Sequence, residues 1–135
     1  MKILTRKIEK LFMMSLLIPL PIILSVNTAG VEAKVEVEYW HDIENIGGYL
    51  SPGYCHYFGP RYPFAVSVHI NTVTPTGNKV SVIITENDRL KWGGLLGPGQ
   101  RSPTLYCTGK IEMHISNPDN QPTIYYSGYI DWVMN

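Results

Sequence analysis

Residues 64–85 read FAVSVHINTVTPTGNKVSVIIT, and this stretch decides the fold. Phe64, Val66, Val68 and Ile70 alternate with Ala65, Ser67, His69 and Asn71. Val80, Val82 and Ile84 alternate with Ser81, Ile83 and Thr85. A period of two puts every second side chain on the same face, so each run reads as a strand with one buried side. Pro75, Gly77 and Asn78 lie between the runs, and all three favour turns. The pattern predicts the central hairpin of a small all-β protein, an antiparallel β-sandwich.

The same signals recur on either side. Lys34 to Trp40 alternates, with Val35, Val37 and Tyr39 on one face and Glu36, Glu38 and Trp40 on the other. Gly47-Gly48 breaks that pattern. Ser51-Pro52-Gly53 is a turn signal, and Tyr54 to Phe58 reads as a short aromatic strand. Beyond the hairpin, Glu86 to Pro103 holds Gly93, Gly94, Gly97, Pro98, Gly99 and Pro103 and is expected to be a long loop. Thr104 to Thr108 reads as a short strand, and Ile111, Met113 and Ile115 alternate with Glu112, His114 and Ser116. Asn117-Pro118-Asp119-Asn120 is a turn. A last strand is expected over Thr123 to Val133, with Gly128 marking a bulge. Seven to eight short strands at this spacing point to a sandwich of the jelly-roll kind.

The chain has 135 residues, enough for one domain. Its start has another character. Lys2, Arg6, Lys7 and Lys10 precede an apolar run from Leu11 to Val26, and Val31-Glu32-Ala33 offers a cleavage point after Ala33. That layout predicts a signal peptide over residues 1–33 and a β-sandwich domain over 34–135. The run is 16 residues, short of the roughly 20 that span a bilayer, and Pro19 and Pro21 interrupt it. Membrane contact is expected only through the leader, and the mature chain is expected to be secreted or at the cell surface. Seven of the 11 basic and nine of the 11 acidic residues follow Ala33, a mature charge of −2. No basic patch survives, which argues against nucleic acid as a partner. Both cysteines, Cys55 and Cys107, lie in the mature part, and an oxidising compartment makes a disulfide between them the expectation.

The order of turns and strands resembles the GOLD domain, a β-sandwich of lumenal cargo receptors and exported microbial proteins. Leu50-Ser51-Pro52-Gly53-Tyr54-Cys55-His56-Tyr57 looks like that family's Pro-Gly turn followed by a cysteine and aromatics. Val80 to Asp88 looks like its alternating strand running to a polar turn, and Gly109 to Asn117 like its late strand. The resemblance covers about residues 49–133. The family's second cysteine falls at the place of His114, whereas this chain has Cys107 a strand earlier. The coiled coil and membrane span that follow in the cargo receptors have no counterpart before Asn135. The resemblance implies a GOLD-like sandwich and a tendency to bind proteins, and fold by itself is a poor guide to function.

Chemistry-bearing clusters are sparse. His41, His56, His69 and His114 show no local metal-site spacing, and no metal or other cofactor is expected. His69 and His114 fall on the outward phase of their strands and would face each other if those strands were neighbours. None of the six mature serines sits in a Gly-x-Ser-x-Gly turn. The pairs Asp42 with Glu44 and Glu86 with Asp88 lie in or beside turns, where acids serve solvation.

Binding is better represented. Trp92, Leu95 and Leu96 sit in the glycine-rich stretch with Arg89, Lys91 and Arg101 around them, and aromatic and Arg anchors dominate protein interfaces. The opposing reading folds Trp92 and the leucines back over the core. Tyr49, Tyr54, Tyr57, Phe58 and Tyr62 form a second aromatic group, which either fills the core edge or stacks on a ligand. Tyr125 and Tyr129 oppose Ile124, Tyr126, Ile130 and Trp132, so both faces of the last strand are partly apolar. The expected function is a non-catalytic exported module that binds a protein or cell-surface component through Arg89, Trp92, Leu95, Leu96 and Arg101, with homo-oligomerisation open. Two alternatives are a bacteriocin-like toxin, from a compositional resemblance to the lactococcin type, and a small metal-dependent enzyme using His69 and His114.

Overall fold

A computed structural model describes residues 6–8 and 35–135. Two compact units divide the chain, His41–Met134 and the remainder. In the smaller, β1 (Arg6–Ile8) and β2 (Val35–Val37) form an antiparallel ladder with Arg6 opposite Val37. The apolar run of the expected leader and its cleavage point lie outside the described residues.

The larger unit contains all but the first residue of β3 (Trp40–Leu50), and β4 (Cys55–Arg61), β5 (Ala65–Thr74), β6 (Val80–Glu86), β7 (Arg89–Leu96), β8 (Leu105–Tyr106), β9 (Ile111–Ser116) and β10 (Ile124–Met134). They form two four-stranded antiparallel sheets in the orders β3-β10-β5-β8 and β4-β9-β6-β7. From β3 to β10 every connection passes from one sheet to the other, except β6 to β7. Two sheets wound this way are a jelly roll. No helix occurs among the described residues.

Alternation explains the core. Val66, Val68, Ile70, Ile124, Tyr126, Ile130 and Trp132 point inward from the first sheet. Val80, Val82, Ile84, Ile111, Met113 and Ile115 meet them from the second. Each is almost wholly buried, and burying a side chain of this size stabilises the fold by about 2 kcal/mol. Along the β3 and β4 edges the core closes with polar contacts. The Tyr126 hydroxyl lies 2.8 Å from Nδ1 of His56, and Trp132 Nε1 donates to Glu44 at 2.9 Å. Arg61 stands 5.1 Å over the Trp132 ring and donates to Asp42 at 2.7 Å.

Four sequence expectations are corrected here. The runs in residues 64–85 are strands, but they do not pair. β5 pairs with β10 and β8, while β6 pairs with β7 and β9. Alternation reports which face a strand buries and is silent on its partner; here both apolar faces meet across the core, one from each sheet. The expected loop from Glu86 contains β7. Its Gly93 and Gly94 look like loop residues, yet Gly94 is needed because the Trp92 ring lies where its Cβ would be, 2.9 Å from ring carbons. Gly47-Gly48 breaks alternation but not the strand. Both lie inside β3 at φ of 154° and 138°, conformations open to glycine, and a Cβ on Gly47 would stand 2.6 Å from the Tyr126 carbonyl oxygen.

The fourth correction concerns the thiols. Cys55 and Cys107 are both free, the first exposed and the second buried. Cys55 stands opposite Ser116 at one end of β9. Cys107 lies at the other end, where the next two residues bond to Glu86, itself opposite Ile111. The length of β9 puts about 17 Å between those ends, against the roughly 7 Å of Cα separation that a disulfide can bridge.

The expected bulge at Gly128 is present. The β10–β5 register shifts between Ser127 and Gly128, leaving Asn71 as the extra residue of β5. A Cβ on Gly128 would lie 2.1 Å from the His69 carbonyl oxygen. The expected turn at Asn117 is anchored by its buried side chain, which donates to the carbonyls of Leu50 and Pro122.

Candidate functional site: the outer face of the β6–β7 hairpin

The one local hairpin of the larger unit is made by Asn87 and Asp88. Both have positive φ, 51° and 67°, the backbone of a two-residue turn whose twist suits antiparallel strands. Asn and Asp tolerate that region better than most side chains. Glu86 fixes the turn from beneath. Its Oε2 accepts the Thr108 and Gly109 amides at 2.6 and 2.8 Å, and its Oε1 accepts Lys91 Nζ at 2.7 Å. The Lys91 ammonium and the two amides favour the charged carboxylate and hold its pKa down to about 2. Asn87 pairs with Lys110 twice, through its own amide and through its Oδ1. Lys110 in turn reaches Asp88 at 3.1 Å, a bond that raises its pKa.

A bulge then sorts the side chains of β7. Ile84 faces Trp92 and Thr85 faces Leu90, so Lys91 has no residue opposite. This turns Leu90 outward and Trp92 inward. Leu90 is 69 % exposed, Leu95 57 % and Ile83 37 %. Gly93 lies among them: a Cβ there would meet Ile83 Cδ1 at 3.2 Å and Leu90 Cδ1 at 3.8 Å. The absent side chain lets Leu90 and Ile83 lean together, with Leu95 two residues further along the same strand. The result is a continuous aliphatic surface on the strand that ends its sheet; among the described residues β7 pairs only with β6.

Beside it, on β9 and β4, the face turns polar. His114 stands opposite Ile83 and Tyr57 opposite His114, the two rings 5.1 Å apart. Tyr57 donates to Glu112 at 2.6 Å, which raises the pKa of the phenol.

The structure divides the residues expected to bind. Leu95 is on this face and Arg89 at its hairpin end, both exposed. Trp92 packs against the core and Leu96 is buried within it. Arg101 belongs to the other sheet, bridged to His69. Leu90 and Ile83, which carry most of the surface, were not singled out by sequence; the signal was an Asn-Asp pair between two alternating runs. Of the second aromatic group, Phe58 packs on the core, while Tyr49, Tyr54, Tyr57 and Tyr62 are exposed. His69 and His114 both face outward but lie on different sheets, so they do not converge. No group of three or more His, Cys, Asp or Glu side chains among the described residues could hold a metal ion.

No protein-family profile matches the chain, and no curated protein matches it either. The likeness to the GOLD domain therefore rests on turns and alternation alone.

Proposed function

We propose that this chain is an exported, non-catalytic interaction module that binds a protein through the outer face of the β6–β7 hairpin. The observation that carries the reading is the contiguous exposure of Leu90, Leu95 and Ile83 across Gly93. Scattered surface leucines need no explanation, but Ile83 and Leu90 meeting over a glycine, with Leu95 exposed on the same face of an edge hairpin, present an apolar patch to water. A sheet edge beside such a patch also offers backbone groups to an incoming strand. The partner is a cell-surface protein or a second copy of the chain. His69 and His114 lie on the outer faces of different sheets, which supports a binding rather than a catalytic role.

The test is the double substitution Leu90→Glu with Leu95→Glu in the full chain. Sedimentation velocity reads self-association, and cross-linking on intact cells reads a surface partner. The substitutions are expected to abolish whichever contact the unsubstituted chain makes while leaving its unfolding midpoint in place. A chain that makes neither contact, or one whose contact survives both substitutions, refutes the reading.

A further inference from the structure

The outer face of the β3-β10-β5-β8 sheet has a different chemistry: tyrosines, short hydroxyls and imidazoles. Tyr125 and Tyr129 point out of β10 four residues apart, about 14 Å along the strand. Each is braced by a second ring. Tyr49 packs on Tyr125 with centroids 5.0 Å apart, and His69 lies flat against Tyr129 at 4.4 Å and 10°. Tyr125 is 40 % exposed and Tyr49 75 %.

Between these two ring pairs lie short hydroxyl side chains. Ser127 and Thr72 face each other across β10 and β5 with their hydroxyls 2.7 Å apart. Gly47 of β3, whose missing Cβ would lie 3.2 Å from Ser127 Cα, adds no side chain. This stretch of β10 and β5 therefore presents hydroxyls with aromatic rings at either end.

The charged groups of this face lie at its Tyr129 end. Both oxygens of Asp131 lie within 2.9 Å of His41 Nδ1. Arg101 donates to the Ser102 carbonyl and the Thr104 hydroxyl. Burial, with Arg101 nearby, lowers the pKa of His69 against the pull of Asp131, and its Nε2 lies 3.1 Å from the Ser67 hydroxyl.

We propose that this face binds an uncharged oligosaccharide, with Tyr125 and Tyr129 as stacking platforms and Ser127 and Thr72 as partners for its hydroxyls. A sugar ring has an apolar C–H face that suits an aromatic ring, and a rim of hydroxyls that both donate and accept. Ser and Thr match that rim because each also does both. The stretch between the two tyrosines is lined by the neutral Ser127 and Thr72, so the match in charge there is to a neutral ligand. An apolar peptide would cover the hydroxyls and imidazoles without satisfying them. The spacing of the two tyrosines suits a short chain of sugars rather than a single ring. This site lies on the other sheet from the β6–β7 patch, and it stands or falls separately.

Affinity electrophoresis of the full chain in gels containing soluble β-glucan, xylan or glucomannan tests the proposal, with dextran sulfate as the charged control. At least one neutral polysaccharide should retard the protein, and dextran sulfate should not. Tyr125→Ala and Tyr129→Ala should each weaken that retention about tenfold, whereas Leu90→Glu with Leu95→Glu should leave it unchanged. Unfolding midpoints establish that each variant is folded; if Tyr129→Ala is not, the exposed Tyr125 decides alone. No retention by any of the three neutral polymers overturns the proposal, as does retention by dextran sulfate only, or retention that ignores both tyrosines. Capture of a protein by this face in place of every neutral polymer overturns it equally.

Discussion

Tyr126 and His56 join the two sheets through one hydrogen bond: the phenol of β10, wholly buried, lies 2.8 Å from Nδ1 of the β4 imidazole. Burial pushes the phenol pKa far above its usual 10.0. A raised folded pKa means that the neutral phenol is favoured by folding. Its stabilising effect is complete below pH 10 and is lost as pH rises beyond that value. Absorbance titration should show Tyr126 ionising only with alkaline unfolding. Tyr126→Phe should cost about 1 kcal/mol in urea unfolding, because it leaves the imidazole nitrogen without its partner. A cost near zero would mean that water replaces the hydroxyl.

Glu86 gives the opposite pH dependence. Its carboxylate is held at a pKa of about 2, from an ordinary 4.5. A depressed folded pKa contributes stability that is present above pH 4.5 and is lost as pH falls towards 2. Glu86→Gln should lower stability at neutral pH by about 2 kcal/mol, the scale of charge-assisted bonds. It should also flatten the acid limb of the stability curve. An unchanged acid limb would show that other carboxylates set it.

Trp92 and Leu95 stand three residues apart on β7 yet should respond differently to truncation. Trp92→Ala opens space beside the core and should destabilise by about 3 kcal/mol. Leu95→Ala, on the exposed face, should stay within about 0.5 kcal/mol of the original. Paired thermal melts check this; equal costs would contradict the alternation along β7 that sends the two side chains to opposite faces.

The thiols provide a fourth check. Cys55 is exposed, whereas burial raises the Cys107 thiol to about 11. An aromatic disulfide reagent should titrate one thiol in the native protein and a second only on unfolding. Finding no titratable thiol in the unfolded, unreduced chain would mean that the cysteines are bridged after all.

What the sequence made legible follows from what alternation encodes. β6, β9 and β10 bury one face each and β5 buries both over its first four residues, and their apolar phases gave both strands and core. Pairing is set by residues far away, so β5 and β6 read as a hairpin although they belong to different sheets. Glycine misled in two places for one physical reason. At Gly47 and Gly94 it makes room for a neighbour inside a strand, the Tyr126 carbonyl in one case and the Trp92 ring in the other, while by composition it reads as a break. The site was half legible. Leu95, expected to bind, lies on the exposed face, and the lone extra residue at Lys91, invisible to a periodicity count, brings Leu90 onto that face as well.

The winding of the strands has a further consequence. Among the described residues only β6 and β7 find each other across a short turn; every other ladder there joins segments distant in the chain. Closing such large loops before any contact rewards them makes high-contact-order topologies slow to form, on the order of milliseconds to seconds. A newly made chain of this kind lingers without its final structure, its apolar strand faces still open to water.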